Sequence, residues 1–173
     1  MSDGFIRIWC GDRQRLGHLG GAQDEFNFLG HVERTEELES LTCTVNGLFP
    51  PWRLTVGDRD DGFGDGRRLA RTGHFNADIP IESLQLGENE IALIATMVDG
   101  SIEERVVCVV REEGGADWPT AIRWSEVDSP QAVGQCVDGE WIVGDDGLRT
   151  AHTGYDRVFL IGNRSWQDYE IAV

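Results

Sequence analysis

Carboxylates are the densest chemistry-bearing residues in this chain, and they crowd one loop, Asp58-Arg-Asp60-Asp61-Gly-Phe-Gly-Asp65. A hard cation such as Ca2+ takes roughly six to eight oxygens from such loops, so Asp58, Asp60, Asp61 and Asp65 are candidate Ca2+ ligands. Ca2+ is the one cofactor the sequence suggests. The loop departs from the EF-hand pattern, because Gly62 stands where an oxygen ligand is needed and no Glu closes the loop. A solvated acidic turn accounts for the same residues, since Asp and Gly readily populate turns. Aromatic residues are the second signal. The chain has six Trp, and Trp118, Trp124, Trp141 and Trp166 fall in its last third. An indole face stacks on a sugar ring at low entropic cost. Trp141, Tyr155, Asp156 and Trp166 are therefore candidate ligand-binding residues for a glycan. A Trp in strand register with Val and Ile is ordinary core, so a structural role is open to each as well.

The remaining polar residues weigh against catalysis without deciding it. His18, His31, His74 and His152 are scattered without metal-ligand spacing. His74, beside Phe75, reads as a structural strand residue. His152 stands just before Gly154-Tyr155-Asp156 and could join a polar cluster there. Asp156-Arg157 reads as an ion pair or a turn anchor. The sequence has no G-x-S-x-G elbow and no phosphate-binding loop. It has no Glu-x-Asp-x-Glu arrangement, and Asp168 with Glu170 does not make an acid/nucleophile pair.

The 173 residues carry a formal charge of −16, and all 15 basic residues are Arg. Codon bias explains the missing Lys, and adaptation to high salt would explain both features. The charge argues against a nucleic-acid partner, which needs a basic patch, and disfavours anionic membrane surfaces. No apolar run reaches the ~20 residues of a membrane span. The N-terminal residues lack a signal-peptide h-region, which fits a cytoplasmic chain or a secreted one whose leader has been removed. Of the cysteines, Cys10, Cys43 and Cys108 lie in apolar strand runs and read as small buried hydrophobes. A Cys43–Cys108 bridge across a sandwich is the alternative, and no C-x-x-C pair occurs.

The elements that must position these residues read as strands. Apolar runs at 5–9, 25–33, 38–46, 52–56, 75–79, 90–98 and 102–111 recur with turn residues between them, the spacing of an all-β sandwich. Asn46-Gly47 and Asp99-Gly100 are hairpin dipeptides. The stretch from Gly11 to Gly21, with four glycines, reads as a loop. Phe28, Leu41, Val45, Ile91, Leu93 and Val107 are the expected core. The polar linker Glu112 to Asp117 then divides the chain. Residues 1–113 form one expected domain and 114–173 a second portion, with strands at 121–127, 133–137, 140–143, 147–151, 158–161 and a terminal alternating run, Tyr169 to Val173.

Several motifs carry a resemblance. Trp9-Cys-Gly-Asp12, Gly17-His-Leu-Gly20, Asn27-Phe-Leu-Gly30, Gly73-His-Phe-Asn76 and Leu86-Gly-Glu-Asn89 resemble bacterial Ig-like or cadherin-like modules. Trp118-Pro119, Ile122-Arg-Trp124, Val137-Asp-Gly-Glu-Trp141, Gly154-Tyr-Asp-Arg157 and Trp166-Gln-Asp-Tyr-Glu170 look like the opening of a concanavalin-like (laminin-G-like) jelly roll. The resemblance implies an Ig-like β-sandwich followed by a partial jelly-roll segment, which would need roughly another hundred residues to be complete. It implies a non-catalytic protein for adhesion or carbohydrate binding, part of a larger assembly. The alternative is an accessory part of a carbohydrate-active enzyme whose catalytic residues lie elsewhere. About 55 residues make a marginal independent fold, and an unpaired terminal strand invites association. The expected partner is thus a second chain or second copy that completes the C-terminal sheet. The linker gives no reason for the second portion to dock on the first.

Overall fold

The computed structural model describes residues 4–21, 23–58, 68–114 and 121–170. Eight strands occupy the first portion: β1 (Ile6–Ile8), β2 (Arg13–Leu16), β3 (Glu25–Val32), β4 (Leu38–Val45), β5 (Trp52–Leu54), β6 (His74–Pro80), β7 (Gly87–Met97) and β8 (Ile102–Arg111). They form two sheets, ordered β1-β3-β6 and β2-β8-β7-β4-β5. β2 runs parallel to β8, and the other pairs are antiparallel. The fold is all-β.

Strand alternation decides what each sheet buries. In the β3–β6 ladder Phe26 faces Ile79, Phe28 faces Ala77 and Gly30 faces Phe75. These pairs point inward and meet Leu41, Cys43, Val45, Ile91, Leu93, Val107 and Val109 of the larger sheet in one buried cluster. All six expected core residues lie in it. Burying such a side chain is worth about 1.5–3 kcal/mol. Gly30 has a packing reason: a Cβ there would lie 2.5 Å from the Phe75 ring and 2.3 Å from the Arg7 carbonyl oxygen. The Asn46-Gly47 turn forms as its residues demand. Both have positive φ, 51° and 68°, and the Leu48 N–H donates to the Val45 carbonyl at 3.0 Å. This is the mirror-image turn whose twist matches a hairpin.

Several expectations need correction. The glycine-rich stretch from Gly11 to Gly21 is not all loop, because Arg13–Leu16 forms β2 and extends the larger sheet at its edge. Its alternation, Gln14 and Leu16 inward against two outward Arg, is too short to outweigh the flanking glycines. Cys43 and Cys108 do not face each other across the sandwich. They lie on β4 and β8 of one sheet, with β7 between them, and both are free thiols.

The second portion contributes four short strands: β9 (Gln135–Cys136), β10 (Trp141–Gly144), β11 (Gly147–Thr150) and β12 (Phe159–Leu160). They pair as two ladders, β9 with β12 and β10 with β11. Residues 121–127 are not a strand. They contain a 3-10 turn at Trp124–Glu126, and a second at Pro130–Ala132 is capped by the Ser129 side chain accepting from the Gln131 N–H. Pro130 fixes φ and Ser129 supplies the cap oxygen, so local chemistry overrides the apolar pattern. Of the expected terminal run, Tyr169 and Glu170 carry no strand, nor do residues 161–168 before them. Residues 171–173 lie outside the described residues. Among the described residues no helix is long and apolar enough to cross a membrane.

The expectation of an undocked second portion is corrected as well. β3 is buried on both faces: Asn27 and Leu29, which alternate with the core phenylalanines, are covered too. The cover is the second portion. The Gln135 side chain donates to the Glu25 carbonyl at 2.8 Å, and the Asn76 side chain donates to the Val137 carbonyl at 3.3 Å. Arg164 pairs with Asp24 at 2.5 Å across the same boundary.

Candidate functional site

The outer face of the β1-β3-β6 sheet is the place where polar side chains converge. The register that sends the phenylalanines inward sends Asn27 opposite Asp78, Leu29 opposite Asn76 and His31 opposite His74 on the other face. Asn27 donates to Asp78 at 2.6 Å. An open sheet face would leave these groups in water, but Asn27 and His74 are buried and each polar group there requires a partner, while Asp78 stays exposed at the margin.

Asp138 is the centre of the closed seam. Its side chain is 4% exposed and that of Arg157 is 9% exposed. Arg157 Nη1 donates to Asp138 Oδ1 at 3.1 Å, while its Nε and Nη2 reach the Tyr155 carbonyl at 3.1 and 2.8 Å. Nη2 also donates to the Arg68 carbonyl across the seam. Arg68 in turn grips Asp78 in a two-pronged pair, with Nη2 to Oδ1 at 2.9 Å and Nη1 on Oδ2. Arg68 Nε lies 3.6 Å from Asp138 Oδ2, a charge contact, since that oxygen has no hydrogen-bond partner. Burial pushes the Asp138 carboxyl up to about 7, while the Arg157 and Arg68 charges pull it down. Arg68 is held above the ordinary arginine range, chiefly by its hydrogen bond to Asp78. The chain Arg157–Asp138–Arg68–Asp78 therefore locks the second portion to β6.

A histidine cluster adjoins the lock. His74 is 4% exposed and packs edge-on against Trp9, with ring centroids 4.8 Å apart. His31 and His152 flank it at 5.6 and 5.7 Å. Burial, reinforced by the charges of His31, His152, Arg157 and Arg71, lowers His74 to about 3. It is neutral at ordinary pH, and its Nδ1 is a buried atom without a hydrogen-bond partner. His31 Nε2 lies 3.4 Å from Glu33 and His152 Nε2 3.6 Å from Glu140. Among the described residues no three His, Cys, Asp or Glu side chains converge in a way that could hold a metal. The three rings pack against one another, with His74 at the centre.

Three of the four residues expected to bind a ligand surround the lock. Trp141 is half-buried, donates its Nε1–H to the Asp138 carbonyl at 2.8 Å and packs on Phe159 at 5.5 Å. That role is structural. Tyr155 is 57% exposed and lends its carbonyl to Arg157. Asp156 occupies an exposed turn at φ 51°, and its charge opposes ionisation of Asp138. Arg157 pairs with Asp138, so Asp156 is a turn residue and not that arginine's ion-pair partner. Trp166 stacks edge-on with Tyr169 at 5.6 Å and packs over Gly162. Of the expected Ca2+ ligands, Asp58 is exposed, and Asp60, Asp61 and Asp65 lie outside the described residues.

A shallow cleft opens beside the lock, between β5 and β6. It is lined by Trp52, Leu54, Arg68, Asn76 and Asp78. Sequence reasoning missed Asp138, Arg68 and Asp78; it read His74 correctly as a structural strand residue but took the histidines as scattered, whereas His31 and His152 flank it. The signal was the β3–β6 register, which pairs the polar residues of Asn27-Phe-Leu-Gly-His31 with those of His74-Phe-Asn-Ala-Asp78. No protein-family model matches the chain, and no curated protein and no solved structure matches it.

Proposed function

We propose that this protein is a non-catalytic, Ig-like carbohydrate-binding or adhesion module whose ligand lies in the cleft between β5 and β6. The observation that carries the reading is the composition of that cleft. An indole 39% exposed stands beside a guanidinium, a carboxylate and an amide. Sugar recognition needs an apolar ring face together with a few fixed polar groups that exchange hydrogen bonds with paired hydroxyls. Arg68 and Asp78 are held in place from behind by Asp138 and Arg157, so little side-chain entropy is lost on binding. The formal charge of −16 favours a neutral ligand over an anionic one.

Strand order supports the Ig-like part. In that arrangement the first, second and fifth strands share one sheet, and the third, sixth and seventh share the other with an added strand beside the third. With β1 and β2 as a first strand split between the sheets, β3, β4, β6, β7 and β8 take the second, third, fifth, sixth and seventh places, and β5 is the addition. The jelly-roll resemblance of residues 114–173 is carried by sequence motifs; in this reading the segment braces the cleft. A second chain or copy that completes its sheet belongs to the same proposal, since the two ladders are two-stranded and leave open edges.

Isothermal titration calorimetry against neutral oligosaccharides tests the reading. Wild-type protein should bind, and Trp52→Ala should bind at least about tenfold more weakly, a loss of roughly 1.4 kcal/mol, with its thermal midpoint unchanged. Equal binding by Trp52→Ala, or no binding by wild type, would overturn the cleft assignment. Loss in Tyr155→Ala or Trp166→Ala instead would move the site to the second portion.

A further inference from the structure

We propose that Cys10 and Cys136 form a reactive dithiol that closes to a disulfide and covalently fastens the second portion to the sandwich. Cys10 follows β1 and Cys136 lies in β9, so the two approach from opposite sides of the seam, 126 positions apart. Their sulfurs are 3.7 Å apart and share a hydrogen bond. A disulfide needs about 2.0 Å, so closure would draw the two sulfurs together from 3.7 Å. Cys136 is buried, whereas Cys10 is only partly so. The other two thiols are placed differently. Cys43 lies in the sandwich core, where burial pushes it up to about 12. Cys108 accepts a contact from Arg13 Nη1 at 3.3 Å and is part-buried on β8, between β2 and β7.

The asymmetry of the pair assigns the roles. The hydrogen bond shared with Cys136 lowers the Cys10 thiol below its ordinary range, against burial and the Glu140 carboxylate, and the same bond and burial raise Cys136. The thiolate, the reactive form, is therefore favoured at Cys10, the less buried residue of the two. With a small disulfide RSSR as oxidant, Cys10 sulfur attacks one sulfur of RSSR, and the S–S bond breaks to release RS−. Cys136 sulfur then attacks the Cys10 sulfur of the mixed disulfide, and a second RS− leaves with the Cys136 proton. The protein loses two electrons and two protons, and RSSR becomes two RSH. The bond would span the boundary that the lock holds non-covalently, so it would constrain the unfolded chain over most of its length.

The experiment uses the full chain, purified reduced and then incubated with oxidised glutathione. The intact mass should fall by about 2 Da, as expected for one two-electron dithiol oxidation. Digestion at arginine without reductant should join the peptide from Ile8 to Arg13 to the one from Trp124 to Arg149. The melting temperature should rise by roughly 5–15 °C and return on reduction. Cys10→Ser and Cys136→Ser should each abolish the mass change, and Cys43→Ser should keep it. The wild-type peptide map decides the matter even where a variant fails to fold. Four thiols surviving oxidation, glutathione retained on Cys10 without closure, a link to Cys43 or Cys108, or an unchanged melting temperature in the linked protein would each overturn the proposal.

Discussion

Asp138 and His74 sit in the same seam and respond to pH in opposite senses. Asp138 has a native value of about 7 against an ordinary 3.8, so its contribution is complete below about pH 4 and is lost as pH rises through 7. His74 has a native value of about 3 against an ordinary 6.5, so its contribution is complete above about pH 6.5 and is lost as pH falls toward 3. Between pH 5 and 6.5 the two slopes oppose each other. We expect the urea midpoint of Asp138→Asn to fall more steeply on acidification than that of wild type, and that of His74→Gln to fall less or to rise. Parallel slopes for the two variants would show that one of the groups does not titrate as assigned. The lock has its own test. Above pH 7, where Asp138 is ionised, Arg157→Ala leaves a buried carboxylate with one partner fewer and should cost about 3–5 kcal/mol, read by chemical denaturation. Arg157→Lys should recover little, because one ammonium cannot serve Asp138, Tyr155 and Arg68 together. Residues of this kind were hard to read from sequence. Asp138 stands in Val137-Asp-Gly139, which marks a turn, and nothing local says that the turn is buried under Arg68.

At the scale of elements, β3 separates what was legible from what was not. Its inward residues, Phe26 and Phe28, announced themselves by alternation with a turn on either side. The whole set Phe28, Leu41, Val45, Ile91, Leu93 and Val107 proved to be core for the same reason. Its outward residues Asn27 and Leu29 gave no such signal, because burial on that face depends on a segment about a hundred positions away. The short elements were illegible for related reasons. β2 lies among glycines and is stabilised by a parallel pairing with β8 that no local pattern encodes. The alternation of Tyr169 mimics a strand, but Tyr169 is spent on a ring contact with Trp166. Two substitutions separate the faces. Phe28→Ala should cost about 3–5 kcal/mol and unfold the sandwich as a unit. Leu29→Ala should cost about 2–4 kcal/mol and should in addition loosen residues 121–164, because Leu29 shares the outer face of β3 with Asn27, which Gln135 of the second portion reaches at 3.4 Å. Urea unfolding followed by both tryptophan fluorescence and far-UV circular dichroism distinguishes them: the two signals should coincide for Phe28→Ala and separate for Leu29→Ala.

At the scale of the molecule, the account rests on the second portion being fixed to the sandwich. It arranges the cleft residues Arg68 and Asp78 from behind and brings Cys136 to Cys10. Linker composition pointed the other way, since a polar, glycine-rich linker is compatible with free tumbling; complementary polar groups on two distant surfaces decide the docking, and single-sequence patterns do not display complementarity. Amide hydrogen exchange on the full chain is the most direct measurement. The Val137 and Asp138 amides both donate to the Val158 carbonyl, at 3.0 and 3.1 Å. In wild type they should be protected well above the exposed β10–β11 turn. In Arg157→Ala they should lose at least about tenfold in protection, roughly 1.4 kcal/mol, while Ile91 and Leu93 in the core strands open only through global unfolding. Rapid exchange at Val137 and Asp138 in wild type, or protection there unchanged by Arg157→Ala, would contradict the account.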